Sequence, residues 1–365
     1  MKSRWTVLLC CFLSLVFLAG CSLVVRQAVV KGRLADLRNS PRIDPNDPNG
    51  LIDTVDVEGD TTSIVIKEGR MDIALEGSPC RVKYMERSGA DLDNGITLEG
   101  ELAGSSRSYP VRIDTGVPGY LLVNEIHVRE NNLPIYHTPG SQEGICHLPD
   151  LRIGGLTLSN FLAIFKLRHS ELQLFGLPIR KDKTIYIGVS LLQQFKYVAF
   201  DGINDEVEFS VTKRFEMEDQ SLWSHYRFSA KPDANGRPRI SIQIPIGGQE
   251  MTLVFDTGCQ PALVTTEKIW EQTRKRFRKI RKSIKTGYAP LAGGNLRSRT
   301  VIVKELDIGN RVVKKAYVGI LPKDNSVFTG FTGQDGILGM QCFADTTIVL
   351  DFEREVMWVK NTDAQ

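Results

Sequence analysis

Short apolar runs broken by Gly, Pro, Asn or Asp recur along most of the chain. Val, Ile and Thr are frequent in these runs, for example over residues 62–66 and 111–113, whereas long stretches with helical spacing are scarce. Short runs rich in β-branched residues and bounded by turn formers are typical of strands. The pattern therefore predicts a mainly β protein with a few short helices.

The start of the chain departs from this pattern. Two basic residues, Lys2 and Arg4, precede an apolar run over residues 7–18, which is too short to span a bilayer comfortably. The run closes in Leu-Ala-Gly-Cys at residues 18–21. Residues 1–20 therefore indicate an export signal, and the closing residues resemble the lipobox of bacterial lipoproteins. The resemblance implies cleavage before Cys21 and acylation of its sulfur. An uncleaved signal anchor with an incidental cysteine is the alternative.

Residues 22–50 contain Pro41, Pro45 and Pro48 with Asp and Asn between them. This composition predicts that residues 21–50 are a lipidated cysteine followed by an extended, solvated tether. Ser22, rather than an Asp, follows the cysteine. In a cell with two membranes, this favours an anchor in the outer membrane facing the periplasm over one in the inner membrane.

Residues 274–285 hold eight basic residues in twelve positions. Trp270, Phe277, Ile280 and Ile284 are spaced for one helix face, which predicts an amphipathic helix here. Such a run is ordinarily a solvated face, and contact with anionic lipid headgroups or an acidic partner is the alternative.

Composition bounds the function classes. The 365 residues are enough for two domains with their own cores, and 42% hydrophobic with 24% charged residues is ordinary for a globular protein. The formal charge of +3 falls to about +1 without the two basic residues of the signal. Nucleic-acid binding is not expected, because it requires a concentrated basic surface.

An internal repeat is the most informative feature of the sequence. An apolar run leads into Asp-Thr-Gly at residues 114–116 and again at 256–258, and three later landmarks recur in the same order, including Tyr-Ile-Gly at 186–188 and Ile-Leu-Gly at 337–339. From the Asp to an Ile-Gly landmark the separation is 40 residues in the first half and 53 in the second. The second half therefore carries an insertion.

Each repeated Asp follows a strand that should carry its carboxylate toward the interior. A lone Asp-Thr-Gly would be a turn signal, because Asp and Gly are common turn formers. A carboxylate at the end of a buried strand, however, needs hydrogen-bond donors or a shared proton. Glycine two positions later allows a close backbone approach and offers its N–H to the carboxylate.

These motifs resemble those of the pepsin and retropepsin superfamily of aspartic peptidases. The resemblance covers about residues 95–360 and implies an all-β fold of two duplicated lobes related by pseudo-two-fold symmetry. We expect the lobes at residues 51–212 and 213–361. The resemblance assigns a catalytic dyad to two aspartates and supporting roles to two threonines and four glycines: Asp114 and Asp256; Thr115 and Thr257; Gly116, Gly258, Gly188 and Gly339.

The expected function is hydrolysis of protein or peptide substrates in the cell envelope by a membrane-anchored aspartic endopeptidase. Two adjacent carboxyls share one proton, so that one activates water and the other donates to the carbonyl oxygen. No metal or organic cofactor is required, and a single chain, as an intramolecular dimer of lobes, is expected to act as a monomer. Hairpins near residues 136–144 and 287–294 are candidate flaps or plain surface hairpins.

Some features depart from the family pattern. A Ser or Thr often follows the glycine in pepsin-like motifs, but this chain has Val117 and Cys259, with Pro118 and Pro261 close behind. The alternatives are therefore a catalytically inactive protein that binds peptides and a structural envelope lipoprotein on the same fold. Residues 51–94 are expected to complete the first lobe, or else to block the cleft.

Four cysteines remain after the signal and the lipid-anchor position are set aside: Cys80, Cys146, Cys259 and Cys342. An oxidising compartment allows three pairings between them, and the sequence does not choose. His147 beside Cys146 suggests a metal ligand pair, but no second pair with zinc-like spacing follows. We therefore expect structural cysteines and no metal site.

Overall fold

A computed structural model describes residues 25–32, 34–44, 52–58, 61–66, 71–85, 96–102, 105, 107–137, 141–174, 177–232, 237–277, 280–291, 294–322 and 333–361. The predicted export signal and Cys21 lie outside these residues.

Strands dominate the described part of the chain, which confirms the expected all-β class. The strands are β1 (Val25–Lys31), β2 (Ile52–Glu58), β3 (Thr61–Ile66), β4 (Asp72–Leu75), β5 (Cys80–Lys83), β6 (Thr97–Leu102), β7 (Ser108–Ile113), β8 (Leu121–Asn124), β9 (Ile135–Tyr136), β10 (Glu143–Ile153), β11 (Leu156–Lys166), β12 (Arg168–Leu174), β13 (Leu177–Lys181), β14 (Ile185–Ile187), β15 (Tyr197–Asp201), β16 (Glu206–Ser210), β17 (Trp223–Ser229), β18 (Ser241–Ile246), β19 (Gln249–Asp256), β20 (Leu263–Thr266), β21 (Ile280–Leu291), β22 (Gly294–Ile308), β23 (Arg311–Leu321), β24 (Gly336–Gly339), β25 (Thr347–Asp351) and β26 (Val356–Lys360). The helices are α1 (Glu125–Glu130), α2 (Val189–Leu192) and α3 (Glu267–Thr273), with 3₁₀ turns at Leu34–Leu37, Gln220–Leu222, Arg274–Arg276 and Met340–Phe343.

The two halves contain the same elements in the same order. In the first half, β14 is parallel to β7 and antiparallel to β8, and β8 is parallel to β11. In the second half, β24 is parallel to β19 and antiparallel to β20, and β20 is parallel to β23. The expectation of two duplicated lobes is therefore confirmed.

One sheet joins the lobes, in the strand order β17-β26-β25-β15-β16-β5. Its two central strands correspond in the repeat and pair antiparallel, with Tyr197 opposite Asp351, Ala199 opposite Val349 and Asp201 opposite Thr347. Because equivalent strands run in opposite directions across this pair, a local pseudo-two-fold axis passes between Ala199 and Val349.

The alternation of side chains along the strand before each Asp determines the direction of its carboxyl. On β7, Val111 and Ile113 are fully buried, and on β19, Leu253 and Phe255 are fully buried. Side chains alternate between the two faces of a strand, so the intervening residues and the terminal Asp lie on the opposite face from this core. Burial of the core side chains thus fixes the direction of each carboxyl.

The Ile-Gly landmark of the repeat is the tight turn between paired strands in each half. Gly154 joins β10 to β11 and Gly309 joins β22 to β23, both with positive φ angles, of 55° and 57°. A residue with a Cβ is disfavoured in this region, which accounts for glycine at both positions.

The predicted helix over the basic segment is wrong beyond residue 276. Helix α3 ends at Thr273, the 3₁₀ turn ends at Arg276, and residues 280–291 form β21, which pairs with β22. The insertion in the second half is therefore a longer hairpin, because β21 has 12 residues whereas the corresponding β9 has two. Pairing with β22 satisfies the backbone of this segment and overrides its helical spacing.

The prediction of a solvated tether is wrong for residues 25–44. β1 pairs with β12 along its whole length, and Leu37 is buried beside α1. Ile135 of β9 exchanges backbone hydrogen bonds with Pro41 and Ile43, both at 2.8 Å. This segment is therefore part of the first lobe.

Two strands from the stretch before residue 94 also join the sheets of this part of the molecule. β4 pairs with β11, and β5 pairs with β16 at the edge of the sheet that joins the lobes.

The four cysteines Cys80, Cys146, Cys259 and Cys342 are free thiols, and three of them are buried. No disulfide therefore connects any pair of them.

Candidate active site

The two predicted aspartates lie at the ends of equivalent strands. Asp114 directly follows β7, and its backbone N–H donates to Ile187 on β14 at 2.9 Å. Asp256 ends β19 and pairs in register with Gly339 on β24. The loops that carry the two Asp-Thr-Gly motifs therefore begin at equivalent positions in the two lobes.

The threonines of the two motifs connect the loops by four buried hydrogen bonds. Thr115 donates its hydroxyl to the Phe255 carbonyl at 2.8 Å, and Thr257 donates to the Ile113 carbonyl at 2.8 Å. Each hydroxyl also accepts from the backbone N–H of the other threonine at 3.0 Å. The interaction is reciprocal, so it fixes the two loops relative to each other and obeys the pseudo-two-fold symmetry.

Each carboxyl lies against the glycine of the opposite lobe. A Cβ placed on Gly116 would be 2.6 Å from Asp256 Oδ2, and one placed on Gly258 would be 2.5 Å from Asp114 Oδ2. Each glycine also donates its N–H to the Asp of its own loop, at 2.9 Å and 2.8 Å. Only glycine leaves room for the two carboxyls to come together here.

The later glycines of the repeat pack beneath the two loops. A Cβ on Gly188 would lie 2.6 Å from the Val117 carbonyl oxygen, and one on Gly339 would lie 2.4 Å from the Cys259 carbonyl oxygen. Backbone groups cannot move away as a flexible side chain can. All eight predicted site residues are therefore brought together in one place.

The electrostatics of the pair follow from burial and proximity. Burial raises the pKa of Asp114 well above its usual value of 3.8, and the neighbouring Asp256 carboxyl raises it further. Burial also raises the pKa of Asp256, but N–H donors from Gly258 and Cys259 and a hydrogen bond from Asp114 oppose the rise. Burial thus raises the pKa of both carboxyls, and the close pair takes up a shared proton.

Two arginines that the sequence did not reveal act on the pair. The positive charge of Arg112 lowers the pKa of Asp114, and that of Arg239 lowers the pKa of Asp256. Arg112 lies two residues before Asp114 on β7, so the period of a strand could have placed it on the carboxyl face. Arg239 precedes Asp256 by 17 residues, and no sequence signal connects the two.

The carboxyl faces of the two lobes differ in composition. Beside Asp114, Arg112 pairs in register with Tyr186, and both are half-buried. Beside Asp256, Val254 pairs in register with Ile337, and both are buried within an apolar cluster. The equivalent positions are therefore polar in the first lobe and aliphatic in the second.

Cys259, which stands where a hydroxyl residue is common, has a protonated thiol. Burial raises the pKa of Cys259 well above its usual value, and the charge of Asp256 raises it further. Its backbone carbonyl accepts from Met340 N–H at 2.9 Å, as the Val117 carbonyl accepts from Val189 N–H at 3.0 Å. The backbone carbonyls of Val117 and Cys259 therefore accept equivalent hydrogen bonds in the two lobes.

The two candidate flaps occupy equivalent positions. One follows β9 and leads into β10, and the other joins β21 to β22. The turn residues 138–140 and 292–293 lie outside the described residues. Near the first hairpin, His137 Nε2 hydrogen-bonds the Ser141 carbonyl at 3.0 Å.

The adjacent Cys146 and His147 lie on β10. Cys146 is fully buried in the core, and burial raises the pKa of its thiol. Within the described ranges, no group of three His, Cys, Asp or Glu side chains is arranged to hold a metal ion.

Across the same ranges, no helix is both long enough and apolar enough to cross a membrane.

A family model described as aspartyl protease matches residues 242–342. The match includes the second Asp-Thr-Gly and its supporting Gly339, and the first half repeats the same elements around the first motif. The similarity to the aspartyl protease family model therefore lies in the second lobe, around Asp256.

Among solved structures, an aspartic proteinase from Irpex lacteus is 12% identical, with a TM-score of 0.44, and the match covers 78% of this chain and 98% of that one. Basic 7S globulin from soybean is 12% identical with a TM-score of 0.42, covering 81% and 97% of the two chains. Conglutin gamma, a basic 7S globulin from lupine seeds, is 11% identical with a TM-score of 0.41, covering 80% and 95%. No curated protein matches the chain.

Proposed function

We propose that this protein is an aspartic endopeptidase in which Asp114 and Asp256 together activate a water molecule. The observation that carries the proposal is the reciprocal placement of the two carboxyls, each against the glycine of the other lobe. A carboxyl pair that shares one proton offers a general base and a general acid at the same position. Aspartic proteases are themselves the established example of such a pair, so the shared proton applies a known pattern to this chain.

In the proposed reaction, Asp256 is the ionised member and Asp114 the protonated one. Asp256 removes a proton from water as the water oxygen bonds to the peptide carbonyl carbon, and Asp114 donates its proton to the carbonyl oxygen. Asp114 then removes a proton from a hydroxyl of the tetrahedral intermediate while Asp256 donates to the nitrogen. The carbon–nitrogen bond breaks, and the carboxyls return to their starting protonation states.

The test uses the mature chain with Asp114→Asn and Asp256→Asn, and Asp307→Asn as a matched control, because Asp307 is exposed on β22. Each protein is incubated with a diverse peptide pool, and new termini are identified by mass spectrometry. Both dyad variants should lose roughly 10²–10⁴-fold in rate, the usual contribution of acid–base groups. The control should cleave normally.

Cleavage that survives both dyad substitutions would reject the proposal. Binding of a transition-state-mimicking inhibitor without any cleavage by the unsubstituted protein would instead support the inactive, peptide-binding alternative. Absence of both cleavage and binding would support a structural role on the same fold.

We further propose that the protein is anchored to the cell envelope through acyl chains on Cys21, facing the periplasm where two membranes exist. The support is the basic start, apolar run and Leu-Ala-Gly-Cys sequence at residues 1–21. Metabolic labelling with a radioactive fatty acid should mark the protein, and Cys21→Ser should abolish the label. A label that persists in the variant would contradict the anchor site.

A further inference from the structure

Two arginines, one in each lobe, lie beside the carboxyl pair. The first, Arg112, is on β7 two residues before Asp114, which is about 7 Å along the strand. Val111 and Ile113 on either side of it are fully buried in the core. Because side chains alternate between the two faces of a strand, Arg112 and Asp114 extend from the same face of β7.

The second arginine, Arg239, reaches the pair from a different strand. β18 pairs antiparallel with β19, with Ser241 opposite Val254, and a backbone hydrogen bond of 2.8 Å joins the next residue of each strand. Continued for two residues, this register brings Arg239 across from Asp256. Opposed residues of an antiparallel pair have their side chains on the same face. The charge of Arg239 accordingly acts on the Asp256 carboxyl, whose pKa it lowers.

Neither arginine follows from the duplication of the lobes. In the repeat, Arg112 corresponds to Val254, which is buried in an apolar cluster, and Arg239 corresponds to Gly95 in the sequence. Each carboxyl nevertheless has one arginine of its own lobe beside it. The two positive charges therefore come from unrelated positions of the framework and reach the same place.

The four charged side chains have an excess of positive charge. Two carboxyls that share one proton hold one negative charge, whereas the two guanidiniums hold two positive charges. Both arginines are half-buried, and a charge held partly out of water is favoured by an opposite charge nearby. An anionic group brought by a bound substrate would balance the excess.

We propose that Arg112 and Arg239 are specificity-determining residues, which bind the carboxylates of acidic side chains on the two sides of the scissile peptide bond. The inference rests on the proposed peptidase function and names its substrate class, which is peptides with Asp or Glu next to the cleaved bond. A guanidinium forms two parallel, charge-assisted hydrogen bonds with a carboxylate, and a glutamine side chain offers no such charge. Each arginine serves the side of the bond that faces its own lobe.

The first test needs no variant. Peptides that share one cleaved sequence carry either Glu or Gln at the two positions flanking the scissile bond, and kcat/KM is measured at about pH 6, where a Glu side chain is ionised. The unsubstituted protein should prefer each Glu over Gln by about tenfold. At about pH 3 the preference should disappear, because the substrate carboxyl is then protonated.

The second test assigns the preference to the arginines. Arg112→Gln should abolish the preference for Glu on one side of the bond, and Arg239→Gln should abolish it on the other, while the rate on the Gln peptide changes far less. The matched controls are Arg152→Gln on β10 and Arg227→Gln on β17, both exposed, which should keep the preference. A merely structural role, or one confined to the acidity of the carboxyl pair, would instead slow the Glu and Gln peptides alike.

Equal rates of the unsubstituted protein on the Glu and Gln peptides at about pH 6 would overturn the proposal, and so would a preference that survives in both arginine variants. If the protein cleaves no peptide, the proposed peptidase function fails separately. The affinities of two transition-state-mimicking inhibitors that carry Glu or Gln at the same positions then decide. Stronger binding of the acidic inhibitor that is lost in the arginine variants would support the acidic preference, and equal affinities would overturn it.

Discussion

At the scale of single residues, the site depends on how closely a glycine and the opposite carboxyl approach. The glycine of each Asp-Thr-Gly motif, Gly116 or Gly258, has no space for a side chain. A Cβ at either position would contact the Asp of the opposite lobe. Replacing one hydrogen atom at this position with a methyl group therefore acts directly on the reacting groups.

We expect Gly116→Ala to reduce cleavage by at least a hundredfold, because its Cβ would lie 2.6 Å from Asp256 Oδ2 and force the carboxyls apart. Gly319→Ala is the matched control. Its nearest contact is a Val264 methyl at 3.2 Å, which can shift. Initial rates on one peptide measure both variants, and equal rates for the two would contradict this account of the glycine.

The raised pKa of Asp114 gives a second prediction, for stability. A carboxyl whose pKa is raised by folding stays protonated in the folded state while it ionises in the unfolded state. The free energy of unfolding then falls as the pH rises above the usual value of 3.8 toward the folded pKa. The buried pair therefore destabilises the protein at neutral pH.

Asp114→Asn should remove this penalty. The variant should unfold like the unsubstituted protein near pH 3 and be more stable at pH 7, by on the order of 1 kcal/mol. Thermal melts from pH 3 to pH 7 measure the difference, with Asp307→Asn as the control. A difference that is constant with pH would show that ionisation is not its cause.

At the scale of elements, a pattern that repeats could be located from the sequence, whereas pairing between distant strands could not. The Asp-Thr-Gly loops and their supporting glycines could be located because the same landmarks recur in the same order in both halves. β21 could not, since Ile280 and Ile284 fit a helix face equally well and only pairing with β22 decides between strand and helix.

β1 shows the same limitation. Val25, Val29 and Val30 suit a strand, but the Pro residues nearby favoured a tether, and the partner strand lies more than a hundred residues away. Arg239 was missed for the same reason, because its effect on Asp256 arises only in the folded chain.

Removal of residues 22–44 should destabilise the first lobe. The truncation leaves β12 without its partner, exposes apolar surface that Leu37 covers, and frees the Ile135 backbone groups. We expect a melting temperature lower by roughly 5 °C or more. A chain that begins at residue 25 is the control and should melt normally. Identical melting of the two chains would restore the tether interpretation.

At the scale of the whole molecule, both carboxyls come from one chain. The lobes share a sheet centred on Ala199 and Val349, and the threonines lock the loops together. Assembly of the site therefore requires no second copy. The repeat predicted two similar halves and the resemblance implied two lobes, whereas the pairing that joins the lobes could not be predicted.

The specific activity should accordingly be independent of dilution. A site formed between two copies would be lost as the protein is diluted below its dissociation constant. We expect a constant rate per chain from about 1 µM to about 1 nM, with one transition-state-mimicking inhibitor bound per chain. A rate per chain that falls on dilution would show that the active unit is larger than one chain.

The unlike surroundings of the two carboxyls have a consequence for how a peptide is read. A peptide has an amino and a carboxyl direction, and a symmetric cleft would accept it either way round. Arg112 and Tyr186 are half-buried beside Asp114, whereas Val254 and Ile337 beside Asp256 are buried in an apolar cluster. Under the proposed function, reversing a bound peptide exchanges the carboxyl that each of its halves faces, so the two orientations are not equivalent and the cleavage sites acquire a polarity.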